Sequence, residues 1–247
     1  METVIEAIGL SKSWGRTQAV QNLDLKVYRG EFLALLGANG AGKTTTLECV
    51  LGTAKKDAGT ISILGMDPVR DRKAIFERVG VQFQQGAFQE KIRVDEACRV
   101  QASLYRTSSD WEELLERFGL ADKRRSLVAD LSGGEKQKLM IVLALIPDPD
   151  LLFLDELTTG LDPRSRRTVW EILLEFKRQG KTALITSHFM DEVEHLCDRV
   201  IILRRGRVVE EDTCANLIEK YQTKNLEDAF LAIAEEDEFT TTQEELA

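Results

Sequence analysis

The chain has 247 residues, of which 43% are hydrophobic and 30% charged, a balance typical of a folded globular protein. The net charge of −9 is concentrated at one end, because the residues from Tyr221 onward include eight acids and one lysine. The nearly neutral remainder argues against a large nucleic-acid interface, which needs a basic face, and no apolar run approaches the roughly 18 residues of a membrane span.

The first residues lack the basic start and long apolar stretch of a signal peptide, so we expect a cytosolic protein. The four cysteines are widely spaced and form no C-x-x-C pair. This usage indicates reduced, mostly buried thiols rather than disulfides or a thiolate metal site.

The first thirty residues alternate in short apolar and polar segments, which predicts antiparallel strands at the edge of a sheet. Residues 32–36 predict an apolar strand and residues 44–51 a helix, and two further strands are predicted at 59–65 and 78–84. From residue 94 to 119 apolar residues recur at helical spacing in a block rich in Arg and Glu, which indicates a helical insertion.

The second half of the chain alternates predicted helices with apolar strands, which indicates an α/β fold with a parallel sheet covered on both faces. After about residue 213 we expect two short amphipathic helices and a Thr- and Glu-rich end. The predicted helices are 136–146, 163–178 and a segment running through 194, and the predicted strands are 151–155, 182–187 and 199–206.

The stretch LLGANGAGKTTTLECVLG, residues 35–52, contains the pattern G-x-x-x-x-G-K-[ST] of a phosphate-binding loop, placed between a predicted strand and a predicted helix. Its backbone N–H groups suit a phosphate chain, Lys43 adds a charge for the β- and γ-phosphates, and Thr44 offers a hydroxyl to Mg²⁺. A Gly-rich turn with a solvated lysine is the alternative. The candidate nucleotide-binding residues are Gly37, Asn39, Gly40, Ala41, Gly42, Lys43, Thr44 and Thr45.

A second motif is DPDLLFLDELTTGLD, residues 148–162. Four apolar residues place Asp155 and Glu156 at the carboxyl end of a buried strand, where a protein with a phosphate-binding loop binds Mg²⁺. Taken alone, a strand that ends in Asp-Glu is more often a solvated loop start, and only in combination with the phosphate-binding loop is the metal site favoured.

The third motif is DLSGGEKQKLM, with LSGG at residues 131–134. Ser132 there suits a helix N-cap followed by flexible glycines. With this motif the chain resembles the ATP-binding cassette ATPases, over about residues 3–211 and in the family's motif order. The resemblance implies a P-loop NTPase (RecA-like) α/β core with an N-terminal antiparallel β subdomain. It also implies an ATPase domain at 1–212 with a helical insertion at about 86–140, followed by an acidic helical tail at 213–247.

The resemblance also implies how the motifs act. Two cassettes face each other head to tail, so that Ser132, Gly133 and Gly134 contact ATP held by the other copy. Glu156 polarises the attacking water, and Gln84 and His188 sense the γ-phosphate. The implied catalytic residues are Glu156, His188, Gln84 and Lys43, the implied Mg²⁺ ligands are Thr44, Gln84 and Asp155, and Trp14 and Asp162 are implied in adenine stacking and in contact with the opposite subunit.

Several of these assignments leave alternatives open. Trp14 also suits a half-buried strand aromatic, and the choice of Gln84 over Gln82 and Gln85 rests on its spacing after VGVQF. The chain also departs from the family pattern twice. Leu157 replaces the proline usual after the catalytic glutamate, which predicts altered loop stiffness. Glu135 replaces the glutamine that often ends the signature, which predicts repulsion of the nucleotide.

The resemblance implies a Mg²⁺-dependent ATPase of a transporter, similar in sequence style to bacterial ABC-2-type drug, antibiotic or lipid exporters. The implied partners are transmembrane permease subunits docking near residues 84–93 and a second ATPase subunit, in a homodimer or heterodimer, and no nucleic acid is expected. We expect the chain to be cytoplasmic and peripheral on the inner face of the cell membrane through its permeases.

The alternatives are a soluble, non-transport cassette ATPase, for example of the iron–sulfur cluster assembly type, and a nucleotide sensor with little turnover. The intact Glu156 and His188 argue against the sensor. Chromosome and DNA-repair cassettes with long coiled-coil arms are excluded, because only 48 residues separate Gln84 from Ser132. For the acidic tail we favour a solubilising role over a dimer or regulatory contact through Phe230, Leu231 and Ile233.

Overall fold

The computed structural model describes residues 2–83 and 88–234, which form two sheets and the helices around them. The strands are β1 (Thr3–Trp14), β2 (Thr17–Tyr28), β3 (Phe32–Leu36), β4 (Ala58–Ile63), β5 (Val79–Gln82), β6 (Leu151–Asp155), β7 (Thr182–Thr186), β8 (Arg199–Arg204) and β9 (Arg207–Asp212). The helices are α1 (Lys43–Val50), α2 (Arg72–Phe76), α3 (Val94–Ser103), α4 (Trp111–Arg117), α5 (Gly133–Leu145), α6 (Pro163–Arg178), α7 (Met190–Leu196) and α8 (Cys214–Lys220), and residues 226–234 are also helical.

The larger sheet has the strand order β5-β6-β7-β3-β8-β9, with the first five strands parallel and β9 antiparallel to β8. Every residue of β3, β6 and β7 is buried, as their continuous apolar sequences predict for a parallel sheet covered on both faces. This arrangement brings the carboxyl ends of β3, β6 and β7 to one edge of the sheet, where ligands bind in open α/β sheets.

The smaller sheet pairs β2, β1 and β4 in antiparallel order, which confirms the antiparallel strands predicted for the first thirty residues. These strands form a sheet of their own with β1 in the middle, so their predicted position at the edge of a sheet is wrong for β1. Residues Val4, Leu10 and Val27 of this sheet belong to the same apolar cluster as Leu47 of α1. The antiparallel sheet therefore packs directly on the helix that follows the phosphate-binding loop.

The predicted helical insertion is present as α3 and α4, and its apolar residues share a core with the larger sheet. Val94, Leu115 and Phe118 pack in one cluster with Leu152 of β6 and Leu173 of α6. The insertion is therefore held to the sheet by burial of large side chains, each worth about 1.5–3 kcal/mol.

Two elements were not predicted, and one helix begins earlier than predicted. The sequence of β9, RVVEED, mixes partly buried and exposed residues, and α2 has only five residues, so neither gives a clear periodic signal. Helix α5 begins at Gly133 rather than at residue 136, because Ser132 caps it.

Within the described residues, no helix is long and apolar enough to cross a membrane. The four cysteines are free, and burial raises the pKa of the Cys98 thiol to about 12. Such thiols are poor nucleophiles at neutral pH.

The predicted tail helices are present, but their apolar residues face the body of the protein. Leu226 and Ile233 are buried in a cluster with Leu36, and Phe230 packs against the same cluster. Leu231 is 54% exposed, so the single face predicted for Phe230, Leu231 and Ile233 does not exist. The residues after 234 lie outside the described part of the chain.

A candidate nucleotide-binding site

The phosphate-binding loop follows β3 and is wedged between two other strands. A Cβ atom at Gly37 would lie 2.4 Å from the carbonyl oxygen of Leu203, and one at Gly42, whose φ is 107°, would lie 2.4 Å from the carbonyl oxygen of Ala19. Both contacts are shorter than any real side chain tolerates, so these two positions require glycine. The loop therefore keeps its shape through contacts with β8 and β2.

Helix α1 begins directly at the end of this loop. Gly42 is its N-cap, and its first turn contains no acidic side chain. The N-terminal N–H groups and the helix dipole therefore present an uncompensated positive charge at the loop, which is the arrangement that binds phosphate.

Lys43 is 6% exposed, and its ammonium group donates hydrogen bonds to the carbonyl oxygens of Gly37 (2.6 Å) and Ala38 (3.2 Å). Burial lowers the pKa of Lys43, and the nearby charges of Glu156 and Asp155 oppose that shift. The ammonium is thus held inside the loop by neutral acceptors, which phosphate oxygens can replace with stronger, charge-assisted hydrogen bonds.

Asp155 ends β6 and is 1% exposed. The hydroxyl of Thr44 lies 3.4 and 3.3 Å from its two carboxylate oxygens, and the hydroxyl of Thr186 donates to the first of them. Burial raises the pKa of Asp155, while both hydrogen bonds lower it. Oxygen atoms of Thr44 and Asp155 thus converge on one point beside the loop, and Mg²⁺ prefers oxygen ligands.

Glu156 follows Asp155 with a φ of 53°, a left-handed conformation that residues other than glycine rarely adopt. Its N–H donates to the carbonyl and hydroxyl oxygens of Thr186, both at 3.0 Å. The amide of Gln137 donates to the carbonyl oxygens of Glu156 (3.3 Å) and Leu157 (2.7 Å). The carboxylate lies 4.0 Å from Nδ1 of His188. Contacts from β7 and α5 therefore fix Glu156 at the edge of the cleft.

His188 follows β7 and lines the cleft, while its neighbours Ser187 and Phe189 form hydrogen bonds within the chain. The hydroxyl of Ser187 donates to the buried carboxylate of Glu192 at 2.6 Å, and the Trp170 indole N–H donates to the same carboxylate at 3.3 Å. The Phe189 ring lies 4.4 Å from the His188 ring, centroid to centroid. Burial raises the pKa of Glu192. Hydrogen bonds of its neighbours Ser187 and Phe189 thus hold the loop that carries His188.

The loop, Glu156 and His188 line one open cleft of about 750 Å³. The structure therefore brings together residues that lie more than a hundred positions apart in the sequence. Thr17, Gln18 and Ala19, at the start of β2, also line the cleft. The sequence did not predict this role for them. The lining residues are Thr17, Gln18, Ala19, Asn39, Gly40, Gly42, Lys43, Thr44, Thr45, Glu156 and His188.

Trp14 lies beside this cleft on the surface. Its side chain is 52% exposed, its indole N–H donates to the hydroxyl of Thr45 at 3.4 Å, and the Lys12 ammonium lies 4.5 Å from its ring centroid. Trp14 ends β1 and is about half buried, so the alternative of a half-buried strand aromatic stays open. An exposed ring next to the loop leaves a flat apolar surface free for stacking.

Gln84 and Gln85 lie outside the described residues. Gln82, the third glutamine of this stretch, is 1% exposed, and its amide donates to the carbonyl oxygens of Asp155 (3.0 Å) and Phe83 (2.9 Å). Gln82 therefore ties the end of β5 to the end of β6 and does not reach the cleft.

The signature residues Ser132, Gly133 and Gly134 do not line this cleft. The Ser132 hydroxyl accepts a hydrogen bond from the backbone N–H of Glu135 (3.2 Å), and the Glu135 carboxylate accepts one from the backbone N–H of Ser132 (2.8 Å). Such a capping box satisfies two helix-terminal donors at once.

Glu135 also forms an ion pair with Lys123, whose Nζ lies 3.1 Å from a carboxylate oxygen. The hydrogen bond from the Ser132 backbone and the contact with Lys123 lower the pKa of Glu135 to about 2. The charge that was expected to repel a nucleotide is therefore bound by Ser132 and partly neutralised by Lys123 in the same chain, which offsets the predicted repulsion.

Asp162 is exposed and caps α6. Its carboxylate accepts hydrogen bonds from the backbone N–H groups of Arg164 and Ser165, both at 3.0 Å, and from the Ser165 hydroxyl at 2.6 Å. The bond from the Ser165 hydroxyl is the main cause of its lowered pKa. In a single chain Asp162 therefore acts as a helix cap.

Three supporting residues were missed, namely Thr186, Gln137 and Glu192. Thr186 carried a weak signal, because a polar residue that ends an apolar strand beside the predicted site points to that site. Gln137 and Glu192 are polar residues at buried helical positions, and only the packing of distant elements reveals their partners.

Comparison with known proteins gives a consistent result. Residues 20–159 match the family model described as ABC transporter. The daunorubicin resistance ATP-binding protein DrrA3 of Streptomyces coeruleorubidus is 38% identical over 221 residues, which cover 87% of this chain and 70% of that protein. The Nod factor export ATP-binding protein I of Burkholderia orbicola is 42% identical over 221 residues, covering 87% and 72%.

Solved structures show the same fold. The structure described as the ATP binding subunit of an ABC transporter superposes with a TM-score of 0.86 at 29% identity, covering 94% of this chain and 99% of that one. A dimeric ATP-binding cassette bound to ADP and phosphate superposes with a TM-score of 0.77 at 23% identity, covering 85% and 98%, and at that identity the likeness concerns the fold alone.

Proposed function

This chain belongs to the ABC transporter family, and on that premise we propose that it is the Mg²⁺-dependent ATP-hydrolysing subunit of an exporter with separate permease subunits. The observation that carries the proposal is that Lys43, Thr44 and Glu156 line one cleft at the carboxyl ends of β3 and β6, with Asp155 buried directly behind Thr44. The relatives named for drug resistance and Nod factor export support the direction of transport.

ATP hydrolysis needs positioning and charge neutralisation more than covalent help from the protein. In the proposed mechanism Lys43 exchanges the carbonyl oxygens of Gly37 and Ala38 for phosphate oxygens. Glu156, whose peptide is fixed by Thr186, orients the attacking water and accepts its proton. His188, whose Nδ1 lies 4.0 Å from the Glu156 carboxylate, is proposed to contact the γ-phosphate.

The oxygen atoms of Thr44 and Asp155 fit a Mg²⁺ ion, because they are close together and beside the phosphate loop. A bound Mg²⁺ neutralises charge on the β- and γ-phosphates. Gln84 is proposed to add a ligand from the segment that follows β5.

The signature residues are proposed to complete the cleft of a second copy. Ser132 and Gly133 are exposed at the start of α5, and a helix start of this kind binds phosphate. Because Ser132, Gly133 and Gly134 do not line the cleft of their own chain, they have a role in phosphate binding only across a dimer.

A permease is proposed to dock in an apolar groove of about 360 Å³ between β5, α3 and α5. Phe83, Phe88, Ile92 and Val100 line the groove, and Val100 is 56% exposed. Phe83 of the groove directly precedes Gln84 in the sequence, so a helix docked there is placed to respond to the state of the nucleotide. Docked in this way, the chain is peripheral on the inner face of the membrane.

The experiment that tests this function is purification of the tagged chain from native membranes in mild detergent, followed by identification of bound proteins. We expect a polytopic membrane protein to co-purify in stoichiometric amount with the unmutated chain. We expect it not to co-purify with the Val100→Asp variant. The matched control is Val69→Asp, since Val69 is equally apolar and 66% exposed but does not line the groove. A soluble partner, with no chain in the membrane fraction, would contradict the transport function.

The alternative of a soluble ATPase of the iron–sulfur cluster assembly type receives no support from the relatives described above. Both carry names connected with export or drug resistance.

A further inference from the structure

The contact between Gln137 and the peptide after Glu156 joins two parts of the proposed catalytic cycle. Gln137 lies on α5, five residues after the signature residue Ser132 that caps this helix. Its amide nitrogen donates to the carbonyl oxygens of Glu156 and Leu157 at 3.3 and 2.7 Å. One side chain on the signature helix thus holds the backbone of the proposed catalytic glutamate of its own chain.

The backbone of Glu156 needs such support. Its φ of 53° lies in the left-handed region, which surrounding contacts must maintain in a residue with a side chain. On the amino side Thr186 accepts the Glu156 N–H with two oxygen atoms. On the carboxyl side the Glu156 carbonyl accepts from the backbone N–H of Thr159 (3.2 Å) and from Gln137. Among these contacts, the one from Gln137 comes from a helix, α5.

Burial makes this contact hard to replace. Gln137 is 8% exposed and Leu157 is completely buried, so water has little access to the Leu157 carbonyl. A buried carbonyl that loses its donor is costly, and the loop shifts to find another partner. A small shift of a catalytic group lowers the rate strongly.

We infer that Gln137 is a positioning residue through which the signature helix sets the position of Glu156 in the same chain. The inference rests on the proposed function, because the signature binds the nucleotide of the second copy. When that nucleotide engages Ser132 and Gly133, α5 moves as a rigid element and Gln137 carries its displacement to Glu156. Each chain therefore adjusts its own glutamate to the occupancy of the other site.

The test uses the full chain with Gln137→Met and Gln137→Leu, which keep a buried side chain of similar size but have no donor. Two variants are made so that, if one of them misfolds, the other still tests the inference. The matched control is Lys136→Ala, which removes a neighbouring donor on the same helix that bonds to the carbonyl oxygen of Ala129 at 3.0 Å. Turnover at saturating Mg-ATP, the dissociation constant for ATP, and amide hydrogen exchange of residues 151–161 are measured.

The expected result is a turnover number lower by about 10- to 100-fold, with the dissociation constant for ATP unchanged. Faster exchange is expected at residues 156–159, and Lys136→Ala behaves as the unmutated chain. Unchanged turnover, or an equal loss of ATP affinity, overturns the inference. Faster exchange throughout α5 and the sheet also overturns it, because that pattern indicates a role in folding alone.

An unmutated chain that hydrolyses no ATP contradicts the proposed function and is recognised before any variant is compared. In that case the exchange of residues 156–159 still decides whether Gln137 holds this loop. Equal exchange in Gln137→Met and the unmutated chain overturns the inference independently of turnover.

Discussion

The two regions proposed to bind phosphate, the loop at residues 37–45 and the signature at residues 131–134, differ in the contacts made by their glycines. In the phosphate-binding loop, Gly37 and Gly42 are required by contacts within the chain, since a Cβ atom at either position would collide with a carbonyl oxygen at 2.4 Å. In the signature, a Cβ atom at Gly133 would meet nothing within 4 Å. The phosphate-binding loop is confined by contacts within the chain, whereas the signature is open at Gly133, although a Cβ atom at Gly134 would lie 3.3 Å from the carbonyl oxygen of Gly160.

The charges differ in the same way. Lys43 and Asp155 are buried, and each is bound by neighbouring groups of the loop and the strand ends. Ser132 and Gly133 are exposed at a helix start that offers donors to solvent. Residues that are required by their own chain indicate a preformed binding site. An exposed glycine that no contact within its own chain requires indicates a surface that another molecule approaches.

The largest effect is expected from Lys43→Ala. Loss of a buried charge that pairs with phosphate costs about 2–5 kcal/mol, so the affinity for ATP is expected to fall by about 30-fold or more. Isothermal titration with ATP measures this, with the exposed Lys55→Ala as the control. An unchanged dissociation constant would remove the loop from the nucleotide site.

The next effect is expected from Gly42→Ala. The added methyl group would lie 2.4 Å from the Ala19 carbonyl oxygen at a φ of 107°, so the loop and β2 must separate. We expect the free energy of unfolding to fall by about 2 kcal/mol, measured by chemical denaturation. A variant as stable as the unmutated chain would show that the loop is not confined by β2.

Gly133→Ala adds the same methyl group to the signature that Gly42→Ala adds to the phosphate-binding loop. Stability is expected to be unchanged or slightly higher, since Gly133 is the first residue of α5, has space for a methyl group, and alanine favours a helix. Turnover is expected to fall by about ten-fold, or 1.4 kcal/mol, because the methyl group stands where the nucleotide of the second copy approaches. Full turnover in this variant would argue against a role for the signature surface.

The smallest effect is expected from Glu135→Gln, which weakens the cap of the signature helix by less than about 1 kcal/mol. The folded-state pKa of Glu135, about 2, is below its ordinary value of 4.5. Its stabilising contribution is therefore present above pH about 4.5 and is lost as the pH falls toward 2. Denaturation of both proteins from pH 7 to pH 3 measures the difference, and a gap that widens in acid would contradict this origin.

The sequence predicted the phosphate loop and the Asp155–Glu156 pair because each is a contiguous motif beside an apolar strand. It also predicted most of the strands, since their apolar runs are unbroken. It did not predict Thr17, Gln18 and Ala19 as a wall of the cleft, because that contact depends on how one sheet packs on the other. The role of Gln137 was likewise hidden, since its partners are backbone atoms of a distant loop.

The central claim is that the cleft of one chain is completed by the signature of another. The most direct test is light scattering of Glu156→Gln, which is expected to bind Mg-ATP without hydrolysing it. The expected mass is twice the 27.8 kDa chain mass with Mg-ATP and the single-chain mass without it, and association is expected to weaken when Gly133→Ala is added. A mass of 27.8 kDa at saturating Mg-ATP, with hydrolysis by the unmutated chain independent of its concentration, would contradict the claim.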